Sequence, residues 1–345
     1  MAKFALWWVT WNGSDYESRM TVGSRKATVE DFKERGFDRI VILSGEGRGI
    51  KYSGPFYNSG YNDGREFARW VSNYIYGMPV YITIPFSRPE GFPRDQVQIP
   101  FEYSGVNSYY KGWIDGVLSV DNTDITGFYW SYESCLQTTS YDEAHVTKEF
   151  IQYMSNYIHN HGQEFIWIPA TGDRGVTYLR KDSFDGILNI GGYFDYVFVQ
   201  PNYYQNGVCI EYINGHKQTF PYSYEKLVEK IRWVYEELPR NIKNPNTRIS
   251  IEMEADRTIL GIPCNCGNGY NCPEGMKCDC NLEKCYEHCR EHQPQKAIDY
   301  ALDYVRALND VGWKPSNLAY YFSTDFKVID TLQEQCRREL NEPYV

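Results

Sequence analysis

Runs of apolar residues recur along the chain and predict a series of β-strands. Eight runs occur, and they are FALWWVTW (4–11), RIVILSG (39–45), PVYITIP (79–85), TGFYWSYE (126–133), EFIWIPA (164–170), YVFVQPN (196–202), RISIEME (248–254) and LAYYFSTD (318–325). Short apolar runs bounded by turn residues are typical of strands buried in a parallel sheet. The pattern therefore predicts eight strands, separated by segments long enough to hold helices.

Apolar stripes at helical spacing lie between several of these runs. The clearest stripes cover residues 150–158, 227–238 and 298–308. Eight alternating units in 345 residues predict an α/β protein with a (β/α)8 TIM barrel as a single domain over residues 1–345. A doubly wound open sheet is the alternative. Its glycine-rich first turn is absent, and GEGRG (45–49) lacks the third glycine because Ile50 follows it.

The seventh run has an apolar face and a polar face. Ile249, Ile251 and Met253 form one face, and Ser250, Glu252 and Glu254 form the other. In a barrel, alternate side chains point into the lumen, so both glutamates are predicted to face it. Glu254 stands at the carboxyl end, where active sites of this fold lie. Burying unpaired carboxylates is costly, so the pattern favours a functional site over its alternative, a hydrogen-bonded structural network.

A third glutamate, Glu133, follows the fourth run and shares a face with Tyr129 and Ser131. It would supply a carboxylate from the opposite wall of the barrel mouth, unless it is a surface loop residue. Carboxyl groups about 5–5.5 Å apart suit a retaining glycosidase, and about 6.5–9.5 Å suits an inverting one. The sequence therefore predicts an acidic pair across the mouth.

Other strand ends carry amide, acidic and aromatic side chains suited to sugars. We expect substrate-binding roles for Trp11, Tyr129, Trp167, Asp173, Gln200, Asn202, Tyr203 and Asp325. Amides can pair with sugar hydroxyls, and aromatic rings offer flat apolar faces with polar edges. Asp325 has a second interpretation, as a cap of the last helix.

The strand-end motifs resemble known proteins at two levels. Glutamates after strands four and seven resemble the clan-A-like (β/α)8 retaining glycoside hydrolases. GFYWSYES, FIWIPATGDRG, FDYVFVQPNYY and ISIEMEAD, in this order, resemble the microbial TIM-barrel family known as domain of unknown function 4855, which is regarded as glycosidase-like.

The clan resemblance implies roles for three residues. Glu133 would be the general acid/base and Glu254 the nucleophile, with Glu252 as the fallback. Tyr132 stands where the clan usually has Asn, which bears on recognition of the sugar 2-hydroxyl. An acid/base needs a raised pKa. We expect aromatic neighbours of Glu133, namely Tyr129 and Trp167, to desolvate it, and Tyr203 to hydrogen-bond the nucleophile and keep it ionised.

Composition excludes several classes of partner. The net charge is −10 and there is no basic run, so neither nucleic acid nor an anionic membrane is expected as a partner. No apolar run reaches the roughly 18 residues of a spanning helix. Aromatic residues make up 17% of the chain, which fits a sugar-stacking surface or a general compositional bias.

A cysteine-rich insertion is predicted over residues 260–294, after the seventh strand. It holds seven cysteines, which are Cys264, Cys266, Cys272, Cys278, Cys280, Cys285 and Cys289. Few apolar residues are present there, so cross-links are needed to fold it. We favour disulfides over zinc bound with His288 or His292, because repeated C-x2-C pairs are lacking.

An odd number of cysteines needs an outside partner. Cys135 and Cys209 are predicted on the same face, and either could pair with the insertion. Cys336, in the last helix, is expected to be a free buried thiol. Disulfides indicate an extracellular protein or the cytoplasm of a hyperthermophile. No signal peptide is predicted, because strand-like sequence begins at Phe4; a removed leader is the alternative.

The sequence thus predicts a glycoside hydrolase that cleaves a polysaccharide or glycan, using no cofactor and no metal. Retention of configuration is what the clan resemblance implies. The alternative from another class is a non-catalytic carbohydrate-binding barrel, which needs no matched acid pair. A metal-dependent deacetylase would need His and Asp ligands at the mouth, and no such pattern is present.

Overall fold

Eight parallel strands close into a barrel in this computed structural model, which describes residues 1–45, 49–86, 108–142, 144, 146–181, 186–261, 271–272, 276–277 and 294–345. The strands are β1 Ala2–Trp11, β2 Arg39–Leu43, β3 Val80–Ile84, β4 Ile125–Trp130, β5 Glu164–Trp167, β6 Tyr196–Val199, β7 Arg248–Glu254 and β8 Asn317–Tyr321. Each strand pairs with the next, and β8 pairs back to β1 with Ala2 opposite Asn317. The predicted TIM barrel is therefore confirmed, and closure rules out the open sheet.

Helices cover the outside of the barrel. They are α1 Val29–Glu34, α2 Tyr57–Tyr74, α3 Tyr109–Leu118, α4 Lys148–Asn160, α5 Val176–Leu179, α6 Gly186–Ile190, α7 Tyr224–Arg232, α8 Leu238–Asn241, α9 Pro294–Val311 and α10 Lys327–Leu340. A π-helical segment, Trp233–Glu237, joins α7 to α8. The three predicted stripes lie in α4, in α7 through α8, and in α9. Among the described helices, none is long and apolar enough to cross a membrane.

Shorter strands and 3-10 helices lie in the loops. They are the strands Tyr16–Ser18, Thr21–Val22, Arg25–Lys26, Val208–Ile213, His216–Pro221, Asn271–Cys272 and Met276–Lys277, and the 3-10 helices Gly191–Tyr193 and Arg257–Leu260. Tyr16–Ser18 runs antiparallel to the last residues of β1. Val208–Ile213 and His216–Pro221 form a hairpin after β6.

The barrel strands bury side chains on both faces. The lumen is filled by Phe4, Leu6, Val41, Leu43, Tyr81, Tyr129, Ile166, Ile168, Tyr196, Phe198 and Ala319. On β7, Ile251 and Met253 belong to the other layer, under the helices. The predicted alternation on this strand is therefore confirmed for its apolar face, and Glu252 and Glu254 take the opposite parity.

A polar network closes the amino-terminal end of the lumen. Arg39 Nη1 donates to Tyr81 Oη at 3.0 Å, and Tyr81 Oη donates in turn to Glu164. Arg248 donates to Tyr196. The Nη1 atoms of Arg39 and Arg248 each lie 3.9 Å from a different carboxylate oxygen of Glu164. Charged and aromatic side chains therefore fill this end of the lumen.

Helices α2 and α3 pack backbone against backbone through glycines. Gly60 and Gly64 on α2 face Gly112 and Gly116 on α3. A Cβ added at any of these four positions would lie 2.1–2.3 Å from a carbonyl oxygen of the other helix. Only glycine permits such an approach, so this pair of helices fixes the outer wall beside β3 and β4.

The predicted cross-links from Cys135 and Cys209 are wrong. Cys209 is a free thiol, and Cys135 also carries a thiol and not a disulfide. Each is only 1% exposed. Burial raises the pKa of Cys209 to about 11. Cys336 is free and buried, as predicted. The positions that lie outside the described residues are Cys264, Cys266, Cys278, Cys280, Cys285 and Cys289, while for Cys272 only the backbone strand is described.

Candidate active site

Glu133 lies just beyond β4, half-buried at the barrel mouth. Tyr129 Oη, from the lumen, donates to its Oε1 at 2.5 Å. Gln200 Nε2, from the end of β6, donates to its Oε2 at 2.9 Å. Both carboxylate oxygens are therefore oriented by neutral donors, one from its own strand and one from across the mouth.

The residues after β6 link Glu133 to the seventh strand. Asn202 Nδ2 donates to Gln200 Oε1 at 3.3 Å and to Glu254 Oε1 at 3.2 Å. The backbone N–H of Asn202 donates to the same Glu254 oxygen at 3.1 Å. Asn202 has a φ of 55°, a left-handed conformation that Asn tolerates better than most residues. This conformation brings its backbone and side-chain donors to one carboxylate oxygen.

Glu254 is fully buried and held by donors from two directions. Besides Asn202, Tyr304 Oη of α9 donates to its Oε2. Burial raises the pKa of Glu254 to about 7, and these donors and the charge of Lys230 oppose that rise. Tyr203, the expected donor, instead donates to Asp303 at 2.8 Å. The expectation that Tyr203 holds this carboxylate is therefore wrong.

Glu252 lies one layer deeper on β7, beside Ala319 of β8. It is 2% exposed, and its Oε1 has no hydrogen-bond partner among the described residues. Burial raises its pKa well above the usual range, and the negative charges of Glu133 and Glu254 raise it further. Both effects favour the neutral carboxylic acid form of Glu252.

Two tryptophans expected at the mouth lie in the outer layer. Trp167 of β5 is fully buried there, and its Nε1 donates to the Tyr132 carbonyl at 2.8 Å. Trp11 packs edge-on against Tyr16 with ring centroids 4.9 Å apart, and Lys51 Nζ lies 5.1 Å from its ring centroid. Both have the strand parity that points away from the lumen, so neither belongs to the site.

Two aspartates expected to bind substrate have other surroundings. Asp325 Oδ1 accepts hydrogen bonds from the backbone N–H groups of Gly23 and Lys327, each at 3.0 Å. Its side chain thus accepts from the first backbone N–H of α10, close to its second interpretation, although the N-cap position itself is Phe326. Asp173 is half-buried in the loop after β5, and its carbonyl accepts from Ile210 N at 2.6 Å.

Trp8 is a mouth residue that the sequence analysis missed. It is half-buried on β1 and lies opposite Leu43, a lumen residue of β2. Tyr321 of β8 meets its ring edge-on at 6.3 Å, and the Arg19 guanidinium lies 5.5 Å from its centroid. The sequence carried a signal for it, because Phe4 and Trp8 are an even number of residues apart and side chains at such spacing share one face of a strand.

Tyr304 and Lys230 were missed because they belong to helices. Tyr304 lies within an apolar pattern at helical spacing, which predicts a core residue. Lys230 had a weak signal, since it lies at helical spacing from Leu227 and Val234, on the apolar face of α7. Within the described residues, no group of three His, Cys, Asp or Glu side chains is arranged to hold a metal ion.

Comparison with known proteins matches part of this site. The family model described as Domain of unknown function (DUF4855) matches residues 119–214. The resemblance is confirmed over this segment. It contains Glu133, Gln200 and Asn202 and three of the four strand-end motifs, while ISIEMEAD lies beyond it.

Matches that cover most of the chain add relatives but do not identify an activity for it. An uncharacterized protein of Methanocaldococcus jannaschii is 29% identical over 354 residues, which cover 96% of this chain and 91% of the relative. A GH18 chitinase from Pseudoalteromonas aurantia has a TM-score of 0.47 and 12% identity over 96% of this chain and 98% of that one. A GH1 β-glucosidase from Humicola insolens has a TM-score of 0.46 and 11% identity over 86% and 77%. These structural likenesses are low, and the fold assignment depends on the strand pairing alone.

Proposed function

We propose that the protein is a glycoside hydrolase that cleaves glycosidic bonds of a polysaccharide or glycan with retention of configuration. The observation that supports this is a row of hydrogen bonds across the barrel mouth, from Glu133 through Gln200 and Asn202 to Glu254. Glycoside hydrolysis needs two carboxyl groups on different sides of the sugar, held in different environments. The half-buried Glu133 and the fully buried Glu254 fit that requirement.

Glu254 is the better candidate for the nucleophile. A nucleophilic carboxylate must be ionised, and Glu254 accepts hydrogen bonds from Asn202 and Tyr304, which favour the charged form. Among the described residues Glu252 has no donor on Oε1, and burial favours its neutral form. Of the two glutamates that the sequence left open, the environment therefore favours Glu254.

Glu133 takes the role of general acid/base. It is the only one of the three glutamates that is partly exposed, so its proton can reach the oxygen of a leaving sugar. It would protonate that oxygen as Glu254 attacks the anomeric carbon, and later deprotonate the water that releases the sugar. Tyr129 and Gln200 orient its two oxygens for these steps.

Substrate contacts follow from what surrounds this pair. The amide oxygens of Gln200 and Asn202 can each accept a further hydrogen bond from a sugar hydroxyl. The half-buried ring of Trp8 offers a stacking surface. Asp173, half-buried in the loop after β5, remains a proposed contact.

Glu133→Gln and Glu254→Gln test the proposal directly. Each is expected to abolish hydrolysis across a polysaccharide panel, measured as reducing ends, because each removes an ionisable group without removing volume. Glu30→Gln is the control, since Glu30 is 65% exposed and pairs with Lys33 on α1. Wild-type turnover in both active-site variants would overturn the proposal. Sugar binding without cleavage by the native protein would favour the non-catalytic barrel.

A further inference from the structure

Lys230 is a buried cation on α7, beneath the mouth. Its residue is 1% exposed. Nζ donates to the Pro201 carbonyl at 3.0 Å and to Thr171 Oγ1 at 3.1 Å, and it lies 4.6 Å from the centroid of the Tyr222 ring. Within the described part of the chain, it forms no ion pair with a carboxylate. An ammonium group in such a place costs folding free energy that a methionine of similar length would not.

The contacts of Lys230 converge on residues 200–202. Thr171 Oγ1 donates to the Gln200 carbonyl at 2.7 Å, and Tyr222 Oη donates to the Pro201 carbonyl at 2.7 Å. Together with Lys230 Nζ, these donors hold two successive carbonyl groups from below. The side chains just above them, Gln200 and Asn202, are the two that join Glu133 to Glu254.

The charge of Lys230 also acts on Glu254. It lowers the pKa of Glu254 against the larger effect of burial. Burial in turn lowers the pKa of Lys230 itself to about 8, so it is largely protonated at pH 7. The titratable groups that face it from the surrounding elements are Cys209, Glu254, Cys135, Glu211 and Tyr222.

We propose that Lys230 is a positioning residue of the active site. Its ammonium group fixes residues 200–202, and with them the separation of Glu133 and Glu254, and its positive charge favours the ionised form of Glu254. The consequence for catalysis rests on the proposed function, but the effects on geometry and charge can be measured without a substrate.

The test is a titration of glutamate carboxyl groups by ¹³C NMR in the full-length protein without ligand. Glu254→Gln assigns the Glu254 signal. In Lys230→Met, the Glu254 midpoint is expected to rise by about one pH unit, because a buried charge nearby is lost. Lys226→Met is the matched control, one turn earlier on α7, where Lys226 pairs with Glu211 and Glu229. It should leave the midpoint unchanged.

A second variant keeps the test decisive if Lys230→Met fails to fold. Lys230→Gln keeps a donor but no charge, so it is expected to fold and to show the same rise. A folded Lys230→Met or Lys230→Gln with a wild-type Glu254 midpoint overturns the inference.

Activity separates this inference from the proposed function. On a substrate that the wild type cleaves, Lys230→Met is expected to lower kcat at least tenfold with a smaller change in KM, since it displaces reacting groups. If the midpoint moves but no glycan is ever cleaved, the effect of the Lys230 charge on Glu254 stands and the hydrolase proposal fails. If hydrolysis is established and the midpoint stays, only the positioning role fails.

Discussion

Glu252 and Glu254 show how two identical side chains on one face of a strand acquire different chemistry. Both are buried, and burial raises the pKa of both. Glu254 receives donors from Asn202 and Tyr304, whereas one oxygen of Glu252 has no partner in the part of the chain that the structure describes. Alternation along the sequence located both glutamates on the correct face. It could not show which glutamate is held in the ionised form, because the hydrogen-bond donors come from residues about 50 positions away in either direction.

The sign of the pH dependence follows from the role of Glu254. As a nucleophile it must be ionised, and its pKa is about 7. We therefore expect kcat/KM to fall about tenfold for each pH unit below 7 as Glu254 is protonated, and to fall again at higher pH once Glu133 loses the proton that it must donate. The measurement is kcat/KM between pH 5 and 9 on any substrate that the protein cleaves. A profile that has no acid limb near pH 7 would contradict the assignment of Glu254 as the ionised nucleophile.

Folding stability should depend on the same group. The pKa of Glu254 in the folded protein is about 7, above its ordinary value of 4.5. Its contribution to stability is therefore fully present below pH 4.5 and is lost as pH rises to 7, which amounts to about 3 kcal/mol in the free energy of unfolding. Urea unfolding of wild type and Glu254→Gln at pH 4.5 and 7.5 measures it. A stability difference that is the same at both pH values would refute this prediction.

At the scale of elements, strand parity decides which predicted residues reach the mouth. Ile166 and Ile168 face the lumen, so Trp167 between them must face the helices. β1 continues beyond the mouth and pairs with Tyr16–Ser18. The end of its apolar run therefore suggested Trp11 as the mouth residue, whereas the alternation of side chains from Phe4 indicates Trp8. The eight strands were predictable because their apolar runs are strong. Their lumen residues needed the parity of each strand.

The α2–α3 contact gives a prediction at the same scale. Gly112→Ala and Gly116→Ala would each place a methyl carbon 2.1 Å from a carbonyl oxygen of α2. The helices must separate, so each substitution is expected to lower the free energy of unfolding by about 3 kcal/mol, despite alanine's better helix propensity. Gly192→Ala is the control, because its Cβ would meet neighbours no closer than 3.4 Å. Chemical denaturation measures all three, and stabilised Gly112 or Gly116 variants would contradict the close packing.

At the scale of the whole molecule, a polar network fills one end of the barrel and the three candidate glutamates lie toward the other. The Arg39, Glu164 and Arg248 network fills the amino-terminal end, and Glu133, Glu252 and Glu254 lie toward the carboxyl ends. Fold class and strand order could be predicted from local patterns. The contacts of Tyr304 and Lys230 could not, because they depend on how α9 and α7 lie against the finished barrel.

The cysteine count gives a prediction for the whole chain. Cys135, Cys209 and Cys336 carry thiols, so the seven cysteines of the predicted insertion would have to pair among themselves and leave one over. Titration of the denatured, unreduced monomer is therefore expected to give four thiols. Ten thiols together with bound zinc would contradict the disulfide prediction and support the metal alternative.

The most direct test of the central claim is to trap the covalent intermediate. The protein is incubated with a panel of activated 2-deoxy-2-fluoro glycosides, and its intact mass and peptide map are recorded. We predict that a sugar that labels the protein adds one fluoroglycosyl unit, that the label lies on Glu254, and that Glu254→Gln stays unlabelled. A label on Glu133 or Glu252, or no label on an enzyme that demonstrably hydrolyses the corresponding glycan, would contradict the account.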